Sequence, residues 1–581
     1  MTKAKKGHGK TRGWAPRCTG LLLAAVVLVS VPGGPASAQA TGSSGAEPGK
    51  IENRIKKRPV TAPEKPTPEA PQLPPVYVEP DGLDEVFILT GVEIIGASVY
   101  PISDFTPLYE DKLASAIDTP DIENLIKAIT EKYRDDGYFL ATAMAEPQDL
   151  ALGVLRIKVN EGAITKVSYT GDVGRRAERF EKFAAKITAE RPARLETLER
   201  YMLLIDDLPG AAIDGSLKPI DKDKGEFELV LAVEHQAVDG YASIDNRGTR
   251  SVGEYQALVT TNLNLGLTDS ERTSLTLFTI PRSPKELVYG ELTHEQHFGT
   301  EGLRAWASFS HSRVDAGYTS SASDLGSRST RIILGTSYPL IRTREQNLSL
   351  FGNIDFSNQR QDENDARNFD DRFRLLRAGF DYDLTDSLDG FNAFSLEYTR
   401  GLDAFGASEG EYPSQSRSPS VTGGQAEFHK VTASASRRQK LGELFAVQLA
   451  VSGQRVSERM LSGEQFFVGG SEYGRAYDSG EISGDDGAAA SAELQFGQFL
   501  EWPFLDSYQI YGFYDFGVVW TPENRNFGDH DSLSSAGGGF RVSFTKSVFG
   551  GFEVAQPLTR AVSNEGNDKG TRMFFYLLGS Y

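Results

Sequence analysis

Alternation with a period of two dominates the chain beyond residue 239. Leu376, Ala378, Phe380, Tyr382 and Leu384 alternate with Arg377, Gly379, Asp381 and Asp383. Phe394, Leu396 and Tyr398 alternate with Ser395, Glu397 and Thr399, and Leu348, Leu350, Gly352, Ile354 and Phe356 with Ser349, Asn353 and Asp355. Successive side chains of a strand point to opposite faces, so each segment has one apolar and one polar face. The chain closes with Met573, Phe575, Leu577, Gly579 and Tyr581 on one face. At roughly 21 residues per strand and connection, residues 239–581 predict about 16 strands.

Upstream the period changes. Residues 85–162 read as β-α-α-β-β: a strand over Val86–Ile95, helices over Ser103–Ala116 and Asp121–Asp135, and strands over Tyr138–Glu146 and Ala151–Glu161. Ile122, Leu125, Ile126 and Ile129 recur at helical spacing, and Asp121 after Pro120 is the expected helix cap. Residues 163–236 repeat the plan, with a strand at Ile164–Thr170, helices at Ala177–Ile187 and Leu195–Leu208, and a hairpin from Gly210–Leu217 and Glu226–Glu234. Two consecutive modules of one topology form an internal repeat.

The first 38 residues read as a secretory signal: basic side chains, then the apolar run Leu21–Val31, a break at Pro32-Gly33-Gly34, and Ala36-Ser37-Ala38 for cleavage. Residues 39–58 hold a short helical stretch around Ile51–Lys57. Residues 59–84 form a linker with eight prolines between Pro59 and Pro80, which favours extended polyproline II. No other segment is apolar enough for a membrane helix. A chain that crosses a membrane without such helices must close its strands into a barrel, since every backbone polar group needs an internal partner in lipid.

Composition narrows the function. The net charge is −19, and the basic N-terminus makes the remainder more acidic still; a nucleic-acid partner is therefore not expected. The one cysteine, Cys18, lies in the signal, which leaves the mature chain without disulfides, zinc thiolates or a cysteine nucleophile. Enzyme motifs are absent: there is no phosphate loop, no Gly-x-Ser-x-Gly and no His-Glu-x-x-His. No catalytic residue, cofactor or metal is expected.

Three motifs give the chain a family likeness. They are Gly137–Ala143 followed by Leu155–Gly162; Asp245-Asn246-Arg247-Gly248 with Gly253; and Phe466-Phe467-Val468-Gly469-Gly470 followed by Gly474-Arg475-Ala476-Tyr477. Together they resemble the outer-membrane transporters of two-partner secretion, which export haemolysins and filamentous-haemagglutinin-like adhesins. The resemblance covers residues 39–581. It implies a transmembrane antiparallel β-barrel of about 16 strands over 239–581, preceded by two periplasmic α+β polypeptide-transport-associated (POTRA) domains over 85–162 and 163–236. It also implies a plug helix within 39–58 and an inward loop bearing Gly469, Gly470, Gly474, Arg475 and Tyr477. The family's loop reads Val-Arg-Gly-Tyr, so Gly474 and Ala476 depart from it.

The family pairs the loop arginine with an aspartate on a late strand, and Asp515 in Phe513-Tyr514-Asp515-Phe516-Gly517 fits. Parity agrees independently: Ile510, Tyr514, Phe516, Val518 and Trp520 form the apolar set, which turns Asp515 to the lumen with Gln509 and Tyr511. Tyr138, Phe139 and Leu140 of the first POTRA domain are expected to meet the client. Expected partners are a secreted polypeptide with an N-terminal secretion domain, outer-membrane lipid and lipopolysaccharide, and the barrel-assembly machinery during biogenesis. An insertase relative that assembles outer-membrane proteins and a solute porin are the alternatives. Two POTRA domains favour secretion over the first, and a porin needs none.

Overall fold

A computed structural model of the chain describes residues 47–56, 86–221, 223–266, 268, 270–316, 325–408, 418–521, 530–563 and 568–581. The expected signal over 1–38 and the linker over 59–84, up to residue 85, lie outside the described residues. Among those residues no helix is long and apolar enough to cross a membrane.

The first module packs one long helix, Thr119–Asp135, on a three-stranded sheet. Asp118 caps the helix in place of Asp121, which sits at the third helical position: the Asp118 side chain accepts from Asp121 N–H, the Asp121 side chain reaches back to Asp118, and Pro120 occupies the first turn. Ile122, Leu125, Ile126, Ile129 and Tyr133 are buried along the face that meets the sheet. Val154–Asn160 is the central strand, parallel to Gly91–Ile95 and antiparallel to Thr142–Met144. Three further expectations change here. Ser103–Ala116 is not an α-helix but three 3-10 turns, Ile102–Asp104, Thr106–Leu108 and Glu110–Lys112. Pro107 lacks the N–H that a helix from Ser103 would need there, and its ring would strike the carbonyl one turn back. The first strand breaks into Phe87–Ile88 and Gly91–Ile95, and Tyr138–Glu146 shrinks to Thr142–Met144.

The second module keeps the plan: strands Ala163–Gly171, Ala211–Asp221 and Glu226–His235, with helices Ala177–Ala189 and Leu195–Asp206. Phe139 and Leu140 of the first module are buried in its core beside Ile164, Phe180 and Leu198. Gly162 stands at φ +76, and a Cβ there would lie 2.4 Å from Leu140 Cβ. Leu195 N–H donates to Gly137 O at 2.9 Å, which ties the modules together across the same junction.

Sixteen strands, from Val238–Asp245 to Arg572–Ser580, close an antiparallel barrel. The last strand returns to the first, from Tyr576 opposite Asp245 to Ser580 opposite Tyr241. Alternation holds along the wall: Ile510 and Tyr514 are exposed outward, whereas Tyr511, Phe513 and Asp515 are buried inward. The second module docks on the end that carries the short turns. Arg179 donates to His297 O at 3.0 Å and Gly299 O at 3.1 Å, Arg342 pairs with Asp207 at 2.7 Å, and Arg344 with Glu199 at 3.0 Å.

Candidate functional site

Residues 457–485 connect strands Phe445–Val456 and Asp486–Trp502 and fold back into the lumen. A short hairpin, Phe466–Val468 with Ile482–Gly484, carries the tip. Gly469, Gly470 and Gly474 stand at φ +114, +101 and +81, a region that only glycine enters freely. Phe466, Val468, Ala476, Tyr477 and Ile482 pack on Tyr511, Phe513, Leu533 and Phe574 of the wall. Ala476 is fully buried, and its φ is not among the positive ones. An alanine in the family's glycine position therefore carries no left-handed strain here, while Gly474 takes the turn that needs one.

Arg475 projects from the tip into a cluster of carboxylates. Asp515 Oδ2 accepts from the Arg475 backbone N–H at 2.9 Å and from Nε at 3.1 Å, and Oδ1 accepts from Nη2 at 3.0 Å. Ser491 and Ser535 hydroxyls also donate to Asp515, which is wholly buried. The other guanidinium edge donates to Glu493 at 2.6 Å, and Glu553 lies 3.9 Å away. The Arg475 guanidinium carbon sits 3.6 Å from the centre of the Phe513 ring. Bidentate, charge-assisted bonding of this kind fixes orientation in a way lysine does not copy.

Reading the sequence alone finds the pair Arg475–Asp515 but misses its surroundings. Arg541 pairs with Glu493 at 2.6 Å, and Arg247 with Glu553 at 2.5 Å. Arg247 also donates to the Arg475 carbonyl at 3.3 Å, so the Asp245–Gly248 turn holds the loop backbone directly. Tyr477 OH donates to Arg560 O at 3.1 Å, and Arg572 pairs with Asp478 at 2.7 Å. A parity signal for Glu493 was available, since Ser491, Glu493 and Gln495 alternate with Ala490, Ala492 and Leu494.

The helix Pro48–Lys56 sits against both the wall and the loop root. Ile51 is fully buried among Val252, Phe278 and Tyr289. A Cβ at Gly49 would lie 3.0 Å from Gly463 Cα. Glu52 pairs with Arg331 at 2.6 Å. From Arg331 a chain of ion pairs runs through Asp355 and Arg377 to Glu464, at the root of the loop, and Lys430 closes it at 2.5 Å.

In the first module Tyr138 is half-buried, whereas Phe139 and Leu140 lie inside the junction. An incoming chain can reach Tyr138 but neither of the other two while the modules stay joined. The Thr142–Met144 edge is partly occupied: Ala141 N–H donates to Tyr138 O and Ala143 N–H to Thr130 Oγ. At the opposite edge Gly91 N–H points into the sheet, toward Gly153 O. Alternation then turns the Val92 and Ile94 N–H groups outward. No group of three or more His, Cys, Asp or Glu among the described residues is arranged to hold a metal.

Comparison with known proteins gives a consistent result. A family model described as haemolysin secretion/activation protein ShlB/FhaC/HecB matches residues 228–542, and one described as POTRA domain, ShlB-type, matches residues 87–162. The chain is 26% identical over 481 residues to the heme/hemopexin transporter protein HuxB of Haemophilus influenzae, covering 79% of this chain and 81% of that protein. It is 22% identical over 483 residues to the outer membrane transporter CdiB of Escherichia coli, covering 81% of this chain and 79% of that protein. The solved structure of CdiB from Escherichia coli aligns with a TM-score of 0.67 at 19% identity, over 88% of this chain and 94% of that one. CdiB from Acinetobacter baumannii gives 0.56 at 17% identity, over 92% and 96%.

Proposed function

The chain belongs to the haemolysin secretion/activation protein family ShlB/FhaC/HecB, and from that premise we propose that Arg475 latches the lumenal loop whose position governs passage of the client. The protein is an outer-membrane transporter with its POTRA domains in the periplasm, and it secretes a partner exoprotein by two-partner secretion. The partner we propose is a large exoprotein of the haemolysin or adhesin class with an N-terminal secretion domain. Lipopolysaccharide around the barrel and the barrel-assembly machinery during biogenesis complete the set.

No nucleotide is needed. The unfolded client meets the first POTRA domain near Tyr138 and adds a strand to the Gly91–Ile95 edge, using backbone bonds that ignore most side-chain identity. In the resting protein the helix Pro48–Lys56 plugs the lumen. Its nine residues are too few to be stable alone, so it depends on the wall and on Glu52–Arg331. Folding of the client outside provides direction, because a folded chain cannot return.

The observation that carries the latch is the buried Arg475, held by Asp515 through both backbone and side chain. The test is to look beside the transporter's coding region for a large secreted protein with an N-terminal secretion domain, co-express the two and assay the medium. Exoprotein should reach the medium only when the transporter is present, and Arg475→Ala should lose most of that export. Export that is independent of the transporter would overturn the reading.

A further inference from the structure

Aromatic side chains at the periplasmic rim of the barrel stand exposed on the wrong face for lipid. Phe391, Phe499 and Trp502 are 47%, 88% and 64% exposed. Residues directly opposite each other in paired strands share a face, so the register fixes which way each one points. Phe391 lies opposite Arg438, whose guanidinium donates to Gln495 inside the lumen. Phe499 lies opposite Ser507, two residues from Gln509, which accepts from Arg541 in the lumen. A bulge separates Phe499 from Trp502 in this hairpin; beyond it Trp502 lies opposite Leu505, which shares the face of Ser507 two residues along the same strand. All three therefore face the mouth of the pore, whereas Phe445 and Phe496, whose ring centroids lie 5.1 Å apart, occupy the outer face.

The hairpin that carries Phe499 and Trp502 also outruns its neighbour. Strand Phe445–Val456 begins opposite Phe496, so residues 498–502 have no partner strand on that side among the described residues. From the rim the wall runs inward along Ala393, Ser395, Ser434, Ser436 and Ala450, all small. It bounds a cavity of about 620 Å³, closed on the far side by Ser471–Arg475 of the loop.

We propose that this rim is an entry surface on which the barrel receives an extended, apolar stretch of the client. The inference rests on the secretion reading above and extends it from the POTRA domains to the barrel mouth. An unfolded chain presents both things the rim can engage: apolar side chains for the rings, and unpaired backbone groups for the 498–502 edge. A folded partner presents far less of either, and the small side chains beyond the rim leave an extended chain room to continue to the loop.

The experiment uses the full-length transporter in outer membranes, with the exoprotein whose export the co-expression assay establishes fused at its C-terminus to a stable domain that stalls it in transit. Phe499→Cys, Trp502→Cys and the outward Phe496→Cys each receive a benzophenone maleimide; Cys18 is the only native cysteine. Positions 499 and 502 should cross-link to the stalled client, and position 496 should not. Phe499→Ser/Trp502→Ser should lower secretion about tenfold, which corresponds to roughly 1.4 kcal/mol of lost contact. Phe499→Leu/Trp502→Phe should restore it. Cross-links from 499 and 502 to lipid, or to residues 59–80 of the transporter in place of the client, would overturn the proposal, as would full secretion by the serine pair. A wild-type transporter that secretes nothing would instead refute the secretion reading itself.

Discussion

Asp515→Asn is the smallest change that attacks the latch. The carboxylate accepts five hydrogen bonds in the structure, three from Arg475 and two from serine hydroxyls. The amide keeps the shape but has one acceptor oxygen, so its NH₂ must face either the Arg475 backbone N–H and Nε or the Nη2 edge. Donor then opposes donor. Breaking a buried ion pair by removing one partner costs about 3–5 kcal/mol. Glu493 still holds the other edge of Arg475 at 2.6 Å, which argues for the lower end. About 3 kcal/mol shifts the ratio of latched to released loop by roughly 10²-fold. Ala476→Cys reports that ratio, since the side chain is fully buried between loop and wall. A maleimide reagent should label it roughly 10²-fold faster in the Asp515→Asn background, while heat-modifiability shows the barrel still folded. An unchanged labelling rate in a folded barrel would refute the reasoning, because the loop would then be held by packing and not by the charge pair.

Glu52→Ala should raise the open fraction of single channels in planar bilayers, since Arg331 keeps Asp355 while the plug loses its ion pair; deleting residues 48–56 should raise conductance further, and unchanged traces for both would count against a plug. Val92→Pro should weaken pull-down of the client's secretion domain without unfolding the first POTRA domain, as the N–H it removes points away from the sheet; retained binding would move the client edge elsewhere. Glu161 gives a pH prediction. Burial alone would raise its carboxyl, but bonds from the Ser98 hydroxyl, the Val99 and Ser98 amides and Tyr133 OH outweigh it and hold the group below the usual carboxylate range. A depressed folded value stabilises above the unfolded pKa of about 4.3 and loses that contribution as pH falls through the folded value. Amide exchange at Ser98 and Val99 should therefore accelerate below about pH 4, beyond the intrinsic trend, and Glu161→Gln should remove the pH dependence.

The barrel was legible because a wall between lipid and water imposes one rule on every strand. The same parity turns Asp515 to the lumen, and Tyr511 and Phe513 follow it inward. What escaped was non-local. Glu493, Glu553, Arg247 and Arg541 come from four separate strands or turns, and nothing along the chain says which lumen charges meet. Periodicity marked Phe139 and Leu140 as apolar but could not say that they fill the neighbouring module's core, which needs the junction at Gly162. Pro107 was visible in the sequence; apolar spacing across Ser103–Ala116 hid what a missing N–H does to a helix.

The central claim is that Arg475 and Asp515 act as one latch, and a double-mutant cycle on secretion tests it most directly. Arg475→Ala, Asp515→Ala and the double variant should each leave a heat-modifiable barrel in the outer membrane and lose most export. Arg475→Lys should be clearly impaired, since one ammonium cannot reach both Asp515 and Glu493 in the observed geometry. The account predicts that the double variant is little worse than either single one, because each removes the same anchor. Losses that add, or full export by Arg475→Ala, would contradict it.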